Sequence, residues 1–525
     1  MARQFSCAQR AASCDILWRM RAKVVIAAAL LLGLVAWDFA AATTFVGDDY
    51  LFLAFARLEP NPLLAFTRDM HGGEYYRPLS MLLWWMLNRV GQGAEWPFAL
   101  AGFLLHAGSA ALLVALGRGV GFSFRVSLTA GALFLVAPAE REAALWFSAN
   151  TDLLATLATL AALVCLLRAS RGWQVASVGL AALAYFSKET ALVLPALGVA
   201  AKFAVSVDPS RRRPAAENAE GSGERTEFFR ACIVPVFPHM AVAGGYLIVR
   251  STVLRGLGGT NDPVAPWWGR GLQVAGGLVH AVTAYAPLPK ALAWLVGGSV
   301  LLVAGVFAVR ARGRAWFPVL WTLLTLLLLP AAGWVVGARY FYLPAVGLML
   351  MLALAADTRG VAAVIAAVSL LAVMGVGSTA ARVDEVRHYR AVLAAAREVV
   401  AKGAQAGQTI FLMRNAVKDL DLALKLTSPT GRLPQPLLVI PDVPASFVWM
   451  PDALAERARF LLARPPLPPK GAYRFGGQHI MGLARREEAP DLDEVLARLP
   501  EIRFIELVTD GRGQVTGRDL TDSRR

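Results

Sequence analysis

Residues 21–50 read RAKVVIAAALLLGLVAWDFAAATTFVGDDY. Basic side chains come first, and an apolar run from Val24 to about Ala42 follows, which is long enough to cross about 30 Å of hydrocarbon as a helix. A cleaved signal peptide has a shorter apolar core and a small-residue cleavage site. The stretch therefore predicts an uncleaved first membrane helix, with the tail 1–23 in the cytoplasm.

The composition of the whole chain indicates a lipid environment. Of its 525 residues, 57% are hydrophobic and 17% are charged, and the mean hydropathy is +0.52. Soluble domains carry about 25% charged residues. The net charge of +15 is spread as small basic clusters between apolar runs, which is typical of topology signals and not of a nucleic-acid-binding surface. The four cysteines show no zinc or disulfide spacing.

The distribution of apolar runs predicts an all-α polytopic membrane bundle of about eleven transmembrane helices. The runs lie at 24–44, 96–117, 126–138, 152–167, 173–187, 190–206, 231–250, 291–309, 316–336, 340–356 and 360–379.

Two further apolar segments, 78–90 and 271–286, are ambiguous by length. If 78–90 spanned the bilayer, the basic cluster of Arg118 and Arg125 would lie outside the cytoplasm. If 271–286 spanned it, Arg310 and the basic residues next to it would lie outside. The positive-inside rule disfavours that arrangement. Both segments are therefore interpreted as juxtamembrane helices.

This topology divides the chain into a cytoplasmic tail, a membrane module at 24–380 and an extracytoplasmic domain at 381–525. The module includes an extracytoplasmic loop at 45–95 and a charged cytoplasmic linker at 207–229. The expected location is the inner membrane of a bacterium, with the N-terminus in the cytoplasm.

The segment 381–525 has mixed signals and predicts a small soluble α/β domain. Strand patterns are expected at Gln408–Met413, Pro436–Ile440 and Ile502–Val508, and helical patterns at Val417–Leu426, Pro451–Leu462 and Asp491–Leu499.

Asp48 and Asp49 form an acidic pair directly after the first membrane helix. One of them could act as a general base for an acceptor hydroxyl at the lipid–water boundary, because partial desolvation raises the pKa of a carboxyl group into a useful range. The alternative is a helix cap or a solvated pair of loop residues.

Three basic residues near the ends of apolar runs could hold a phosphate group: Arg77, Lys188 and Arg339. A guanidinium can bind phosphate through two parallel hydrogen bonds. Lipid-headgroup contacts or local ion pairs are the alternatives, and the tyrosines that follow Arg339 fit an aromatic belt.

Further acidic residues, Glu142, Asp152 and Glu189, lie next to hydrocarbon, where a charge is costly unless it is paired or functional. They could bind substrate or pair with the cations. His106, inside an apolar run, is expected to have a hydrogen-bonded packing role.

The charge-derived topology, which makes no use of these groups, places the acidic pair, Arg77, Glu142, Lys188 and Arg339 on one face. A carboxylate base beside several cations suits a transferase with a phosphate-linked donor, because the cations stabilise the departing phosphate.

In their order along the chain, these motifs resemble those of the GT-C superfamily of polyprenyl-phosphate-sugar glycosyltransferases. The resemblance covers about residues 24–380 and is strongest to the transmembrane and tetratricopeptide-repeat O-mannosyltransferases and their bacterial relatives. It is carried by Asp48-Asp49, Tyr76-Arg77-Pro78-Leu79, Pro138 with Glu142-Ala143, Trp146 and Asp152, Ser187-Lys188-Glu189, and Arg339-Tyr340 with Tyr342-Leu343-Pro344. Asn150 stands at the position of a family arginine, and the tetratricopeptide repeats are absent.

The resemblance implies an inverting transfer of a sugar, hexose or mannose in the related enzymes, from a polyprenyl-phosphate donor to an acceptor outside the cytoplasm. By position Asp48 would be the base, with Asp49 a close second. The acceptor hydroxyl could belong to a protein, a lipid or a glycan. No dedicated metal-ligand cluster is visible, so the sequence supports no cofactor, although a divalent metal is compatible with the superfamily.

Two other functions fit a polytopic chain. A transporter or flippase predicts inverted repeats and charges along a path through the bilayer, whereas these charges gather on one face. A membrane-anchored scaffold predicts that the segment 381–525 acts alone.

Overall fold

The computed structural model describes residues 29–46, 49–68, 75–137, 141–207, 229–256, 274, 290–310, 312–331 and 338–403, and seven strands between residues 409 and 519. The predicted helices at 417–426 and 491–499, most of the one at 451–462 and nearly all of 271–286 lie outside these residues.

The first half of the chain forms eight helices in the described residues. They are α1 (Ala29–Ala42), α2 (Asp49–Leu58), α3 (Pro78–Gly91), α4 (Trp96–Val120), α5 (Phe124–Val136), α6 (Arg141–Leu145), α7 (Asn150–Leu166) and α8 (Arg171–Ser187).

Six more helices follow, and together with the first eight they form the helical part of the protein. They are α9 (Leu194–Ser206), α10 (Phe237–Leu254), α11 (Lys290–Arg310), α12 (Trp316–Ala331), α13 (Tyr342–Asp357) and α14 (Val361–Gly403).

Each of the eleven predicted apolar runs overlaps one of these helices in the described residues. Among the described residues, six helical segments are long and apolar enough to cross a membrane: Trp96–Val120, Phe147–Leu166, Glu189–Ser206, Phe229–Leu254, Arg339–Asp357 and Val361–Ala395. The total of eleven spanning helices therefore stays a prediction.

The centre of the bundle is built around α7 and α13. They are the most buried of the six segments; α7 packs between α4 and α8, and α13 contacts α5 and α12. Ala155, Ala158 and Ala162 of α7 are buried, and small residues let helix backbones approach closely within a membrane. Small side chains therefore allow α7 to pack closely against its neighbours.

The described chain between α1 and α4 contains two helices, α2 and α3. The first, α2, was not predicted, although an acid begins it and Arg57 lies in its last turn, which suits the helix dipole. The second, α3, begins with Pro78 after Arg77, as expected for the juxtamembrane segment. Gln92 ends α3 in the left-handed conformation, and Gly93 follows at φ 89°. This turn leads directly into α4.

The last helix is 43 residues long and passes residue 380 without a break. At 1.5 Å per residue it extends for about 65 Å, roughly twice the hydrocarbon thickness. The predicted domain boundary near 380 therefore falls within a continuous helix, and the division into domains remains a prediction.

Seven strands form one mixed sheet in the order β4-β5-β3-β2-β1-β6-β7. They are β1 (Thr409–Met413), β2 (Leu437–Val439), β3 (Phe447–Pro451), β4 (Ala472–Phe475), β5 (Gln478–Gly482), β6 (Arg503–Thr509) and β7 (Val515–Asp519). β1 pairs in parallel with β2 and β6, and the other pairs are antiparallel. Three strands match the predicted ones, but Pro451 ends a strand where a helix was expected to begin.

Candidate functional site

The loop after α1 is fastened to the segment that precedes α7. We call residues 43–49 the acidic loop. The Asp49 side chain is fully buried; its Oδ2 accepts the Val46 amide at 2.8 Å, and its Oδ1 accepts the amide of Ser148 at 2.6 Å and the hydroxyl of the same residue. The Trp146 indole donates to the Val46 carbonyl at 3.1 Å. These bonds hold Val46 and Asp49 against the segment that precedes α7.

Of the two predicted acids, Asp48 and Asp49, the structure describes only Asp49. Asp48 lies outside the described residues. Asp49 begins α2, and both of its oxygens accept hydrogen bonds from the protein. Asp49 therefore fastens the start of α2 to Val46 and to the segment before α7.

Arg77, at the start of α3, forms a two-bond ion pair with Glu189. Its Nε donates to Oε2 at 3.0 Å, and its Nη2 donates to Oε1. Arg250 of α10 approaches Oε2 of the same carboxylate at 3.7 Å and donates to the Tyr246 hydroxyl at 3.2 Å. The guanidinium of Arg77 also lies 4.3 Å from the centre of the Tyr75 ring. One carboxylate thus holds two guanidinium groups.

Lys188 forms a second ion pair next to the first. Its Nζ lies 2.5 Å from Asp152 Oδ2, and the exposed fractions of the two side chains are 3% and 7%. Asp152 is in the first turn of α7, two residues after the buried Asn150. Lys188 also lies 5.2 Å above the ring of Tyr340. The turn between α8 and α9 therefore contributes Lys188 and Glu189 to one site.

Arg339 connects these ion pairs with the acidic loop. Its guanidinium lies 4.4 Å from the centre of the Trp146 ring and 4.9 Å from that of Tyr340. Trp146 is the residue that donates to Val46 in the acidic loop. The acidic loop and Arg339 therefore lie at the same end of the helix bundle, beside the same indole.

Cations gather at this site. We call the following described residues the basic cluster: Arg77, Lys188, Arg250, Arg339, Asp152 and Glu189. Arg77 also interacts electrostatically with Asp152, and Lys188 with Glu189. Among the described side chains, four cations thus lie at one end of the helix bundle. A gathering of cations of this kind suits an anionic ligand such as a phosphate.

The pKa shifts of the two central cations have different physical causes. Burial lowers the pKa of Arg77, but the attraction and hydrogen bonds of Glu189 outweigh burial and raise it above the usual arginine value. Burial also lowers the pKa of Lys188, and here the attraction of Asp152 does not restore it. Arg77 is thus a permanent cation, whereas the charge of Lys188 depends more on its surroundings.

The predicted site residues that the structure describes lie at one end of the helix bundle. Five lie in the basic cluster: Arg77, Lys188, Arg339, Asp152 and Glu189. Glu142 lies in α6, which packs against the short helix Ala338–Phe341, but its side chain and the whole of Asp48 are outside the described residues. Among the described residues, no group of three or more His, Cys, Asp or Glu side chains could hold a metal ion.

Arg250 belongs to the cluster but was not among the predicted site residues. It is the single charged residue in the 18-residue apolar helix α10. A lone charge inside an apolar helix indicates a functional or paired group by itself, and Tyr246, four residues earlier, lies on the same face. The sequence therefore contained a signal for this residue.

Two interior residues test minor predictions. His106 is buried, with Nδ1 2.9 Å from the Tyr342 hydroxyl and Nε2 3.2 Å from the Leu135 carbonyl, so the expected hydrogen-bonded packing role is confirmed. The aromatic-belt interpretation is wrong for Tyr342, because this side chain is fully buried in the bundle.

No protein-family model matches the sequence, and no curated protein matches it. Solved structures do match its fold. ArnT from Cupriavidus metallidurans in the apo state superimposes with a TM-score of 0.50 at 14% identity, over 90% of this chain and 100% of that chain. The same protein bound to undecaprenyl phosphate gives a TM-score of 0.50 at 14% identity, over 89% and 99% of the two chains.

The similarity shows that this chain shares the fold of ArnT over most of its length. With six long apolar helical segments among the described residues, the chain is an integral membrane protein.

Proposed function

We propose that this chain, which has the GT-C fold, is an inverting glycosyltransferase. It would move a sugar from a polyprenyl-phosphate donor to an acceptor hydroxyl on the extracytoplasmic face of a bacterial inner membrane. The observation that carries the proposal is the gathering of four cations in the basic cluster, which lies beside the acidic loop. The structure of ArnT with undecaprenyl phosphate supports a lipid-linked donor.

In the proposed reaction, a carboxylate takes the proton of the acceptor hydroxyl. The acceptor oxygen attacks the anomeric carbon of the sugar, and the bond between that carbon and the phosphate oxygen breaks. The bonding electrons leave with the polyprenyl phosphate. General-base catalysis of this kind typically contributes about 10²- to 10⁴-fold to the rate.

Asp48 is the residue proposed as the base. Asp49, the second candidate from sequence, is engaged by Val46 and Ser148, which favours a structural role for it. Of the two acids, Asp48 is therefore the one proposed to take the proton.

The cations are proposed to act on the leaving group. Negative charge develops on the phosphate as the bond breaks, and fixed cations in a site without water stabilise it strongly. Arg77, Lys188 and Arg339 would bind the phosphate group, while Glu189 and Asp152 hold Arg77 and Lys188 in place.

The GT-C fold favours a transferase over the transporter and the scaffold that the sequence left open. A scaffold predicts that changes in the basic cluster leave function intact. A flippase predicts movement of the lipid carrier without transfer of sugar.

The test is Asp48→Asn, which keeps the shape of the side chain and removes the base. A deletion strain complemented with this variant should lack the same modified envelope glycans, lipids or proteins as the deletion strain itself, measured by mass spectrometry. The control is Asp384→Asn on α14, an exposed carboxylate, which should restore them. Full restoration by Asp48→Asn would exclude that residue as the base. Repeating the transfer with a chelator present reports on metal dependence.

A further inference from the structure

The acidic loop is held by a residue far along the chain. Arg390 of α14 donates from Nη2 to the Thr43 carbonyl at 3.0 Å and to the Glu95 carboxylate at 2.5 Å. Glu95 in turn accepts the Thr44 hydroxyl at 2.5 Å and the Phe45 amide at 3.4 Å. Three consecutive loop residues are thus bound by two side chains, which we call the Arg390–Glu95 clamp.

The clamp lies on one side of the proposed base, and the bonds of Asp49 lie on the other. Val46 is held by Asp49 and by the Trp146 indole. The described residues on both sides of the proposed base in the sequence, 43–46 and Asp49, are therefore held by side-chain contacts.

The helix that carries Arg390 connects distant parts of the protein. Arg390 lies 29 residues after the start of α14, about 44 Å along the helix axis, which is beyond the thickness of the hydrocarbon layer. The same helix contacts β7 of the sheet. Arg390 therefore joins the acidic loop to the part of the chain that leads into the sheet.

We infer that Arg390 is a positioning residue for the acidic loop, acting through the clamp on Thr43, Thr44 and Phe45. The inference rests on the proposed function, in which Asp48 must reach the acceptor hydroxyl within hydrogen-bond distance. A displacement of about 1 Å at such a base can reduce the rate by about 10²-fold. Release of the clamp thus lowers the rate of the bound complex without removing any group that touches the donor.

The effect of the clamp is local. The exposed fractions of the Arg390 and Glu95 side chains are 47% and 31%, and ion pairs in contact with water add little to global stability. By contrast, Thr43, Thr44 and Phe45 are buried, so the contacts order a segment that is already packed. A structural role in folding would change the unfolding temperature, whereas a positioning role changes kcat.

The experiment compares Arg390→Met, Arg390→Lys and Arg387→Met in the full-length protein in nanodiscs. Arg387 lies on the same helix, and its exposed side chain pairs with Asp384, so it is the matched control. Sugar transfer gives kcat and KM, and hydrogen exchange of the peptide covering 43–49 reports the order of the loop independently of activity.

We expect Arg390→Met to lower kcat by roughly 10- to 100-fold with little change in KM for the donor, and to speed hydrogen exchange at 43–49. Arg390→Lys should restore much of both, because an ammonium can still donate to Thr43 and Glu95. Arg387→Met should match the wild type. If Arg390→Met does not fold, Glu95→Gln serves instead, since its amide oxygen keeps the Thr44 contact while the attraction to Arg390 is lost.

The outcomes separate the two proposals. Unchanged exchange at 43–49, or an equal loss of activity in Arg387→Met, would overturn the positioning role even in an active transferase. Faster exchange with unchanged kcat would overturn it as well. If the wild-type protein transfers no sugar from any polyprenyl-phosphate donor, the proposed function fails, whatever the exchange rates are.

Discussion

Replacing both partners of the Lys188–Asp152 ion pair separates its contribution to stability from its contribution to donor binding. The two side chains are almost fully buried and their charged atoms are 2.5 Å apart. Removing one partner of a buried pair leaves an uncompensated charge and costs about 3–5 kcal/mol. Lys188→Met alone should therefore lower the free energy of unfolding by about that amount.

The double variant Lys188→Met/Asp152→Leu should behave differently. Replacing a buried ion pair by apolar side chains of similar volume is often neutral or stabilising, so the double variant should recover most of the lost stability. It should not recover phosphate binding, because the cation is still absent. Hydrogen bonds to charged groups contribute about 1.5–3 kcal/mol, which corresponds to a roughly 10- to 150-fold weaker affinity.

The assay follows thermal unfolding in nanodiscs by tryptophan fluorescence, with and without undecaprenyl phosphate, because a ligand that binds only the folded state raises the unfolding temperature. The control is Arg125→Met/Asp357→Leu, which removes a more exposed pair at the other end of α13 from Arg339. It should leave both stability and the lipid-induced shift near wild type. If the Lys188/Asp152 double variant bound undecaprenyl phosphate as tightly as the wild type, the pair would be structural only and the assignment of Lys188 to the phosphate would be wrong.

Three further predictions address other parts of the site. Arg250→Met should weaken undecaprenyl phosphate binding by less than the roughly tenfold expected for losing a direct charged hydrogen bond, because Arg250 pairs with Glu189 and is not one of the three cations proposed to bind the phosphate. Arg255→Met, just beyond the same helix, should bind normally in the same assay. Because burial lowers the pKa of Lys188, its ammonium loses the proton at lower pH than an exposed lysine, and binding of undecaprenyl phosphate should fall as the pH rises toward the usual lysine range. Lys188→Arg should move that fall to higher pH. Identical pH profiles for the wild type and the variant would contradict the reasoning. Asp49→Asn should lower the free energy of unfolding by about 1–3 kcal/mol, because an amide cannot accept all the bonds from Ser148 and its neighbours; chemical unfolding that shows no loss would refute the structural role.

The helices and their order were predictable because hydropathy acts over short stretches of sequence. The run at 24–44 led to α1, and the juxtamembrane segment 78–90 became α3 almost residue for residue. The helix α2 was missed because its ten residues are too few to form a membrane span and were taken as part of a loop. Capping and helix-dipole signals at its two ends were present but were not used.

The sequence predicted that the site residues lie on one face of the membrane, but not how they pair with each other. The positive-inside rule placed Arg77, Lys188 and Arg339 on one face from charges elsewhere in the chain. It could not say that Glu189 would hold Arg77 with two bonds or that Arg250 would share the same carboxylate. These pairings depend on how α3, α8 and α10 pack, and periodicity within each helix does not determine packing between helices.

What the sequence by itself determined is where the apolar helices lie along the chain and that charged residues meet at one end of the bundle, because both follow from the cost of placing polar groups in hydrocarbon. Only the tertiary structure decided which charged residues pair with each other. It also decided that Asp49 is held by hydrogen bonds and that Arg390 contacts Thr43, which lies 347 residues earlier in the chain. Such contacts arise when separate helices pack and bury their polar groups together. A buried donor or acceptor needs a hydrogen-bond partner, which the fold can bring from any part of the chain. The residues next to it in the sequence therefore do not predict which residue that partner is.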